Sequence, residues 1–177
     1  MTMSGYSHLA VSVADLERAQ AFYTQALEFR PGPVYRSAGR RVAALMESAA
    51  LEFRGVFLRR GDVLVELLCY EPPGPARSAP RPAADVGYAH ISLVVDDVDA
   101  VATAAVAHGG EVRSRFQVGF ADGLTRIAFV TDPDANRVEL IAHSTTGERD
   151  AHAAYLGLDG LGWPAADTPG RPDAGPV

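Results

Sequence analysis

The chain has 177 residues, 47% of them hydrophobic, with 16 basic and 22 acidic side chains and a formal charge of −6. That length supports one well-buried core, or two small units sharing one, and a mean hydropathy near zero suits a globular protein in water. The acidic balance argues against a nucleic-acid surface, no apolar run approaches the ~20 residues that a bilayer crossing takes, and the single cysteine, Cys69, excludes an intrachain disulfide or a thiolate metal cluster.

Residues 7–13 alternate, with Leu9, Val11 and Val13 on one side and Tyr6, His8, Ala10 and Ser12 on the other. A period of two predicts a strand with one core-facing side. Asp15 is a good N-cap, and behind it Leu16, Ala19, Tyr23, Ala26 and Leu27 recur at helical spacing. Arg30-Pro31-Gly32-Pro33 reads as the end of that helix. Beyond residue 34 the pattern weakens: 37–41 reads as a turn and 42–46 as a strand. Residues 51–58 and 63–70 predict a hairpin about Arg59-Arg60-Gly61-Asp62. In its second strand Leu64, Glu66 and Leu68 share one face, and Val65, Leu67 and Cys69 the other.

Five prolines between residues 71 and 87 interrupt regular structure. The pattern then restarts. Ala89, Ile91, Leu93 and Val95 face the core, while Tyr88, His90, Ser92 and Val94 face the other way. Asp97 caps a helix through Val98, Val101, Ala102 and Ala105 that stops at Gly109-Gly110. Strands are expected at 111–115, 124–130 and 137–143, the last after the turn Thr131-Asp132-Pro133-Asp134-Ala135-Asn136. The organisation is therefore a first β-α-β-β-β module over 1–70, a linker over 71–87, a second module over 88–145, and an extension over 146–177. The Gly- and Pro-rich end of that extension is expected to be partly disordered, and 152–158 is a candidate short helix.

The two modules are written in register. Tyr6, His8 and Asp15 are answered by Tyr88, His90 and Asp97. Val65-Glu66-Leu67-Leu68 is answered by Val138-Glu139-Leu140-Ile141. Each half thus supplies one histidine and one glutamate on a mid-strand face where a solvated carboxylate is out of place. Two imidazoles and two carboxylates suit one divalent ion, Ni²⁺, Co²⁺, Mn²⁺, Fe²⁺ or Zn²⁺, with the carboxylates neutralising it. A lone strand histidine is more often structural; duplication makes His8 and His90 ligand candidates. His108, at a helix end before Gly109, reads as structural. His143 lies roughly 13 Å along the strand from Glu139, too far to share an ion. Tyr6, Tyr88, Phe116, Phe120 and Phe129 are candidates to line a cavity.

With these motifs the chain resembles the vicinal oxygen chelate superfamily, which includes glyoxalase I, methylmalonyl-CoA epimerase, extradiol dioxygenases, fosfomycin-resistance enzymes and bleomycin-binding proteins. The resemblance covers about residues 6–143 and includes the turn before the last strand, where Gly often stands in place of Ala135. It implies an α+β fold of two tandem βαβββ modules, forming an open, curved half-barrel around a metal site with helices outside. It implies metal ligands His8, Glu66, His90 and Glu139, and a catalytic role for Glu139 and Glu66, with Glu139 the favoured base. A Glu at position 66 resembles glyoxalase I rather than the dioxygenases, so the expected activity is a lyase, isomerase or epimerase moving a proton through an enediolate of a small oxygenated substrate. Glu47 and Glu52 lie near where the epimerases carry a further carboxylate. The alternatives are a small-molecule resistance protein that binds without catalysis, or a dioxygenase. The family's half-barrels often pair across chains, so a homodimer is expected; from the composition, cytoplasm is the default location, and no nucleic-acid or membrane partner is expected.

Overall fold

Alternating strands can bury one face only by pairing edge to edge and receiving a helix on that face. In the computed structural model, which describes residues 5–47, 52–74 and 79–158, this happens twice. The first module runs β1 (Leu9–Ser12), α1 (Leu16–Gln25), β2 (Arg30–Ala38), α2 (Arg40–Leu45), β3 (Glu52–Arg60) and β4 (Val63–Glu71). The second runs β5 (Ile91–Val94), α3 (Val98–Ala107), β6 (Glu111–Val118), β7 (Thr125–Thr131) and β8 (Arg137–His143), and α4 (Thr146–Tyr155) follows it. Each module forms one open four-stranded sheet, ordered β1-β4-β3-β2 and β5-β8-β7-β6. In both, the first strand lies parallel to the last and the other pairs are antiparallel.

The helices start where the sequence places their caps. The Asp15 carboxylate accepts the Arg18 N–H, and the Asp97 carboxylate accepts those of Asp99 and Ala100. Leu16, Ala19, Phe22 and Tyr23 of α1 pack on Val56, Leu58, Val65 and Leu67; Val98, Ala102 and Ala105 of α3 pack on Ala128, Val130, Val138 and Leu140. All belong to one continuous buried cluster. A buried Leu or Val contributes roughly 1.5–3 kcal/mol, so the helix-facing sides hold the fold together and the opposite, concave sides are left for function.

The modules also meet through the turn before β8. Asp134 accepts the Ala14 N–H at 3.2 Å and Arg18 Nη2 at 2.6 Å, and the Tyr23 hydroxyl donates to Asp132 at 3.4 Å. Asp132 is itself buried and accepts the N–H groups of Asp134 and Asn136 and the Asn136 amide. Burial raises its carboxyl above the ordinary range, and those hydrogen bonds offset part of the rise.

Four expectations are corrected. Residues 30–33 do not merely end α1, which stops at Gln25; they open β2. The prolines are tolerated because β2 is an edge strand, and its register shifts between Pro31 and Val34. The predicted turn at 37–41 is taken up by the end of β2 and the start of α2. Residues 42–46 lie in and just after that short helix, not in a strand. The candidate helix at 152–158 begins earlier, as α4 from Thr146, where Thr145 accepts the Glu148 N–H. The expectation of disorder falls largely on residues 159–177, outside the described residues. Among the described residues no helix is long and apolar enough to cross a membrane.

Candidate metal centre

β1 and β4 are neighbours in parallel register, with Ala10 opposite Glu66, so His8, two residues before Ala10, lies on the same face as Glu66. The geometry repeats in β5 and β8, where Ser92 stands opposite Glu139. His8 Nε2 lies 3.2 Å from Glu66 Oε2, and His90 Nε2 lies 3.4 Å from Glu139 Oε2. Each glutamate side chain is largely covered, at 13% and 16% exposed, and each imidazole is about one-third exposed.

The neighbours repeat as well. Phe57 pairs with Glu66 in register and meets the His8 ring edge-on at 5.3 Å; Phe129 pairs with Glu139 and meets His90 in the same way at the same distance. His8 Nδ1 lies 2.9 Å from Ser7 Oγ. With the serine accepting, Nε2 presents its lone pair towards Glu66. A lone pair and a carboxylate oxygen at 3.2 Å repel unless a proton or a cation lies between them. Adjacent ligands on an octahedral ion with bonds of about 2.1 Å sit about 3 Å apart, so each pair fits two neighbouring positions of a divalent ion.

The structure therefore places all four expected ligands, but as two pairs on two concave faces. Among the described residues no three His, Cys, Asp or Glu side chains converge on a common point. The reason is packing: the core and the turn carrying Asp132 and Asp134 join the modules through their helix-facing sides. An open groove of about 510 Å³ runs between β1 and residues 88–91, with His90 and Tyr70 on its wall and neither glutamate.

The other candidates separate cleanly. Glu52 is ion-paired with Arg36 and faces away from Glu66, being one residue out of phase with Phe53 and Phe57. Glu47 is exposed just after α2, and Cys69 is buried on the helix side. Tyr6 and Tyr88 are 74% and 91% exposed, and Phe116 on the second concave face is 61% exposed. Phe120 stacks on His152 at 4.5 Å. His143 Nε2 stands 3.1 Å from His152 Nδ1, not at a ligand position.

Two residues near the glutamates escaped the sequence reading. Tyr35 on β2 donates its hydroxyl to Glu66 Oε1. Burial, then the hydrogen bond and charge of Glu66, raise its pKa further above the ordinary tyrosine range. His152 on α4 is buried and close enough to Glu139 to feel its charge, although desolvation still lowers its pKa on balance. Gly55, a glycine inside an apolar strand, was the available sign of a close approach at the first place. For the second, the sequence offers only a candidate helix at 152–158, with nothing local to aim His152 at Glu139.

A family model described as the glyoxalase/bleomycin resistance protein/dioxygenase superfamily matches residues 5–140. A probable lactoylglutathione lyase of Vibrio cholerae is 31% identical over 163 residues, covering 86% of this chain and 95% of its own length. Among solved structures, a glyoxalase family protein from Bacillus cereus superposes with a TM-score of 0.71 at 16% identity, covering 81% of this chain and 96% of that one. The fosfomycin resistance protein FosX of Listeria monocytogenes, complexed with Mn(II) and sulfate, gives 0.54 at 20% identity over 84% and 98%. Paired modules, strand order and the extent of the match lead to one conclusion: the chain belongs to the glyoxalase/bleomycin resistance protein/dioxygenase superfamily.

Proposed function

We propose that this protein is a metal-dependent lyase or isomerase of glyoxalase type, moving a proton between adjacent carbons of a small oxygenated substrate. The observation that carries this reading is the duplicated pair: His8 with Glu66 and His90 with Glu139, at 3.2 and 3.4 Å, on concave faces of identical register. His8, Glu66, His90 and Glu139 would hold one divalent ion. A bound ion of this kind polarises a substrate carbonyl and makes the neighbouring C–H acidic. Glu139 would take that proton and return it to the adjacent carbon. Phe57 and Phe129 pack edge-on against the imidazoles of both pairs. The relative from Vibrio cholerae named a lactoylglutathione lyase supports a lyase, and the Mn(II) complex of FosX supports a divalent ion on this fold.

Because one chain offers the ligands as two separate pairs, we place the complete site between the first module of one copy and the second module of another, in a homodimer. Two dead variants test this. One carries His8→Ala with Glu66→Gln, and the other His90→Ala with Glu139→Gln. When mixed and refolded, chains that share sites yield one intact site per hybrid dimer, and activity on a methylglyoxal–thiol adduct returns. No recovery assigns the site to a single chain. Chemistry is read in D₂O: the substrate α-hydrogen exchanges with solvent or migrates to the neighbouring carbon, and oxygen is not consumed. If chelator-treated protein takes up no divalent ion by calorimetry and no exchange occurs, the binding-protein reading replaces this one.

A further inference from the structure

The duplication breaks at one place that touches a glutamate. On the first concave face Tyr35 of β2 stands opposite Gly55 of β3, which stands opposite Leu68, two residues past Glu66. On the second face the same three positions are Phe116, Ile127 and Ile141. The Tyr35 ring lies across the bare Gly55 backbone, stacked on Phe57 at 5.8 Å and edge-on to Phe53 at 6.1 Å. A methyl group on residue 55 would overlap the Tyr35 hydroxyl and ring. Glycine there is what lets the tyrosine reach Glu66, and isoleucine closes the equivalent route in the other module. Phe116 in any case has no hydroxyl to offer.

The consequence for the carboxylate is specific. Glu66 Oε1 is taken by the Tyr35 hydroxyl, and Oε2 faces His8. A hydrogen bond to one oxygen fixes the rotation of the whole group. We propose that Tyr35 is a positioning residue that holds Glu66 so that it presents Oε2 alone to the divalent ion, leaving Glu139, where the equivalent Phe116 has no hydroxyl to pin it, as the carboxylate that carries the proton. This rests on the metal reading given above, and it adds the reason why two matching glutamates would have different jobs.

The test uses the full chain, stripped with chelator and titrated with Co²⁺ as the probe, by calorimetry and by visible absorption. Tyr35→Phe keeps the ring and removes only the hydroxyl; Gly55→Ala keeps the hydroxyl and displaces the ring. Both are expected to weaken Co²⁺ binding by about 10–100-fold, the range for loss of a partner that orients a metal ligand, and to displace the visible bands. Circular dichroism reports that each variant is folded. The double variant Phe116→Tyr with Ile127→Gly builds the same contact over Glu139 and is expected to lower kcat while KM holds, because the base is then pinned. If the native chain binds Co²⁺ and the folded Tyr35→Phe protein matches it in affinity and spectrum, the role of Tyr35 is overturned and the metal reading stands. If the native chain does not bind Co²⁺, both fall.

Discussion

The two modules are the same scaffold with different furniture. Strand order, register, capping aspartate, histidine, glutamate and edge-on phenylalanine all repeat. The differences lie on the concave faces and at the open ends. Glu66 has a tyrosine over it, whereas α4 brings His152 towards Glu139. In the second module Glu148 of α4 also accepts the N–H groups of Phe120 and Ala121 and the Thr125 hydroxyl, tying the β6–β7 connection to the helix. In the first module, among the described residues, the short α2 lies beside its own edge strand instead. Core positions repeat because both sheets must bury one face against a helix. The opposite faces are under no such requirement, so the two halves of the proposed site need not be equivalent.

The largest effect expected from this asymmetry is in turnover. Glu139→Gln should cost about 10²–10⁴-fold in rate, the usual contribution of a general base, with substrate binding little changed. Glu66→Gln should cost less, since an amide oxygen still coordinates. Equal and small losses in steady-state kinetics would remove both carboxylates from proton transfer.

Next comes the shared core. Leu67 on β4 and Leu140 on β8 are both fully buried in one cluster. Leu67→Ala and Leu140→Ala should each destabilise by about 2–5 kcal/mol, and in each case the whole chain should unfold in a single transition. Two separate transitions in calorimetry would show that the modules fold independently.

A smaller effect separates the turns that precede β4 and β8. The first has Gly61 at φ 54°, and the second has Ala135 at φ 65°. Alanine is strained in that left-handed region and glycine is not. Allowing for the greater chain entropy of glycine, Ala135→Gly should stabilise by about 0.5–1 kcal/mol. An unchanged or lower Tm would mean that the alanine methyl makes contacts worth more than the strain.

The smallest effect is the pH dependence contributed by the His143–His152 pair of the second module. Desolvation, with His152 alongside, lowers the His143 pKa, and desolvation lowers that of His152 despite Glu139 and Glu148. As pH falls through about 6.5, the unfolded chain takes up protons at these two histidines that the folded one resists, so their contribution to stability declines below that point and is level above it. Burial alone would raise the Glu148 carboxyl, but the donors from Ala121, Phe120 and Thr125 outweigh that and hold it below its ordinary 4.5, so its contribution is lost only at lower pH. Tm measured from pH 7.5 to 5.5 should fall in the native chain and fall less in His152→Gln. Equal slopes would place the titration elsewhere.

What the amino-acid order determined by itself is everything that periodicity can report. Leu9, Val11 and Val13 against His8 define two faces of one strand, and Val65 and Leu67 against Glu66 define two faces of another; Asp15 and Asp97 mark helix starts. Those signals are local, and their repetition made the duplicated His and Glu legible before any contact was known. Tertiary structure alone decided the rest. Proline in β2 is permitted by an edge position that no local pattern declares, so residues 30–33 read as a stop. The six residues of α2 are too few for a helical period to stand out from a strand. Tyr35 meets Glu66 only through the register of three strands, and His152 approaches Glu139 only because α4 folds back over the second sheet. Whether the four candidate ligands form one quartet or two pairs depends on how the modules pack. That is set by buried surfaces far apart in sequence, which act together only once the chain has folded.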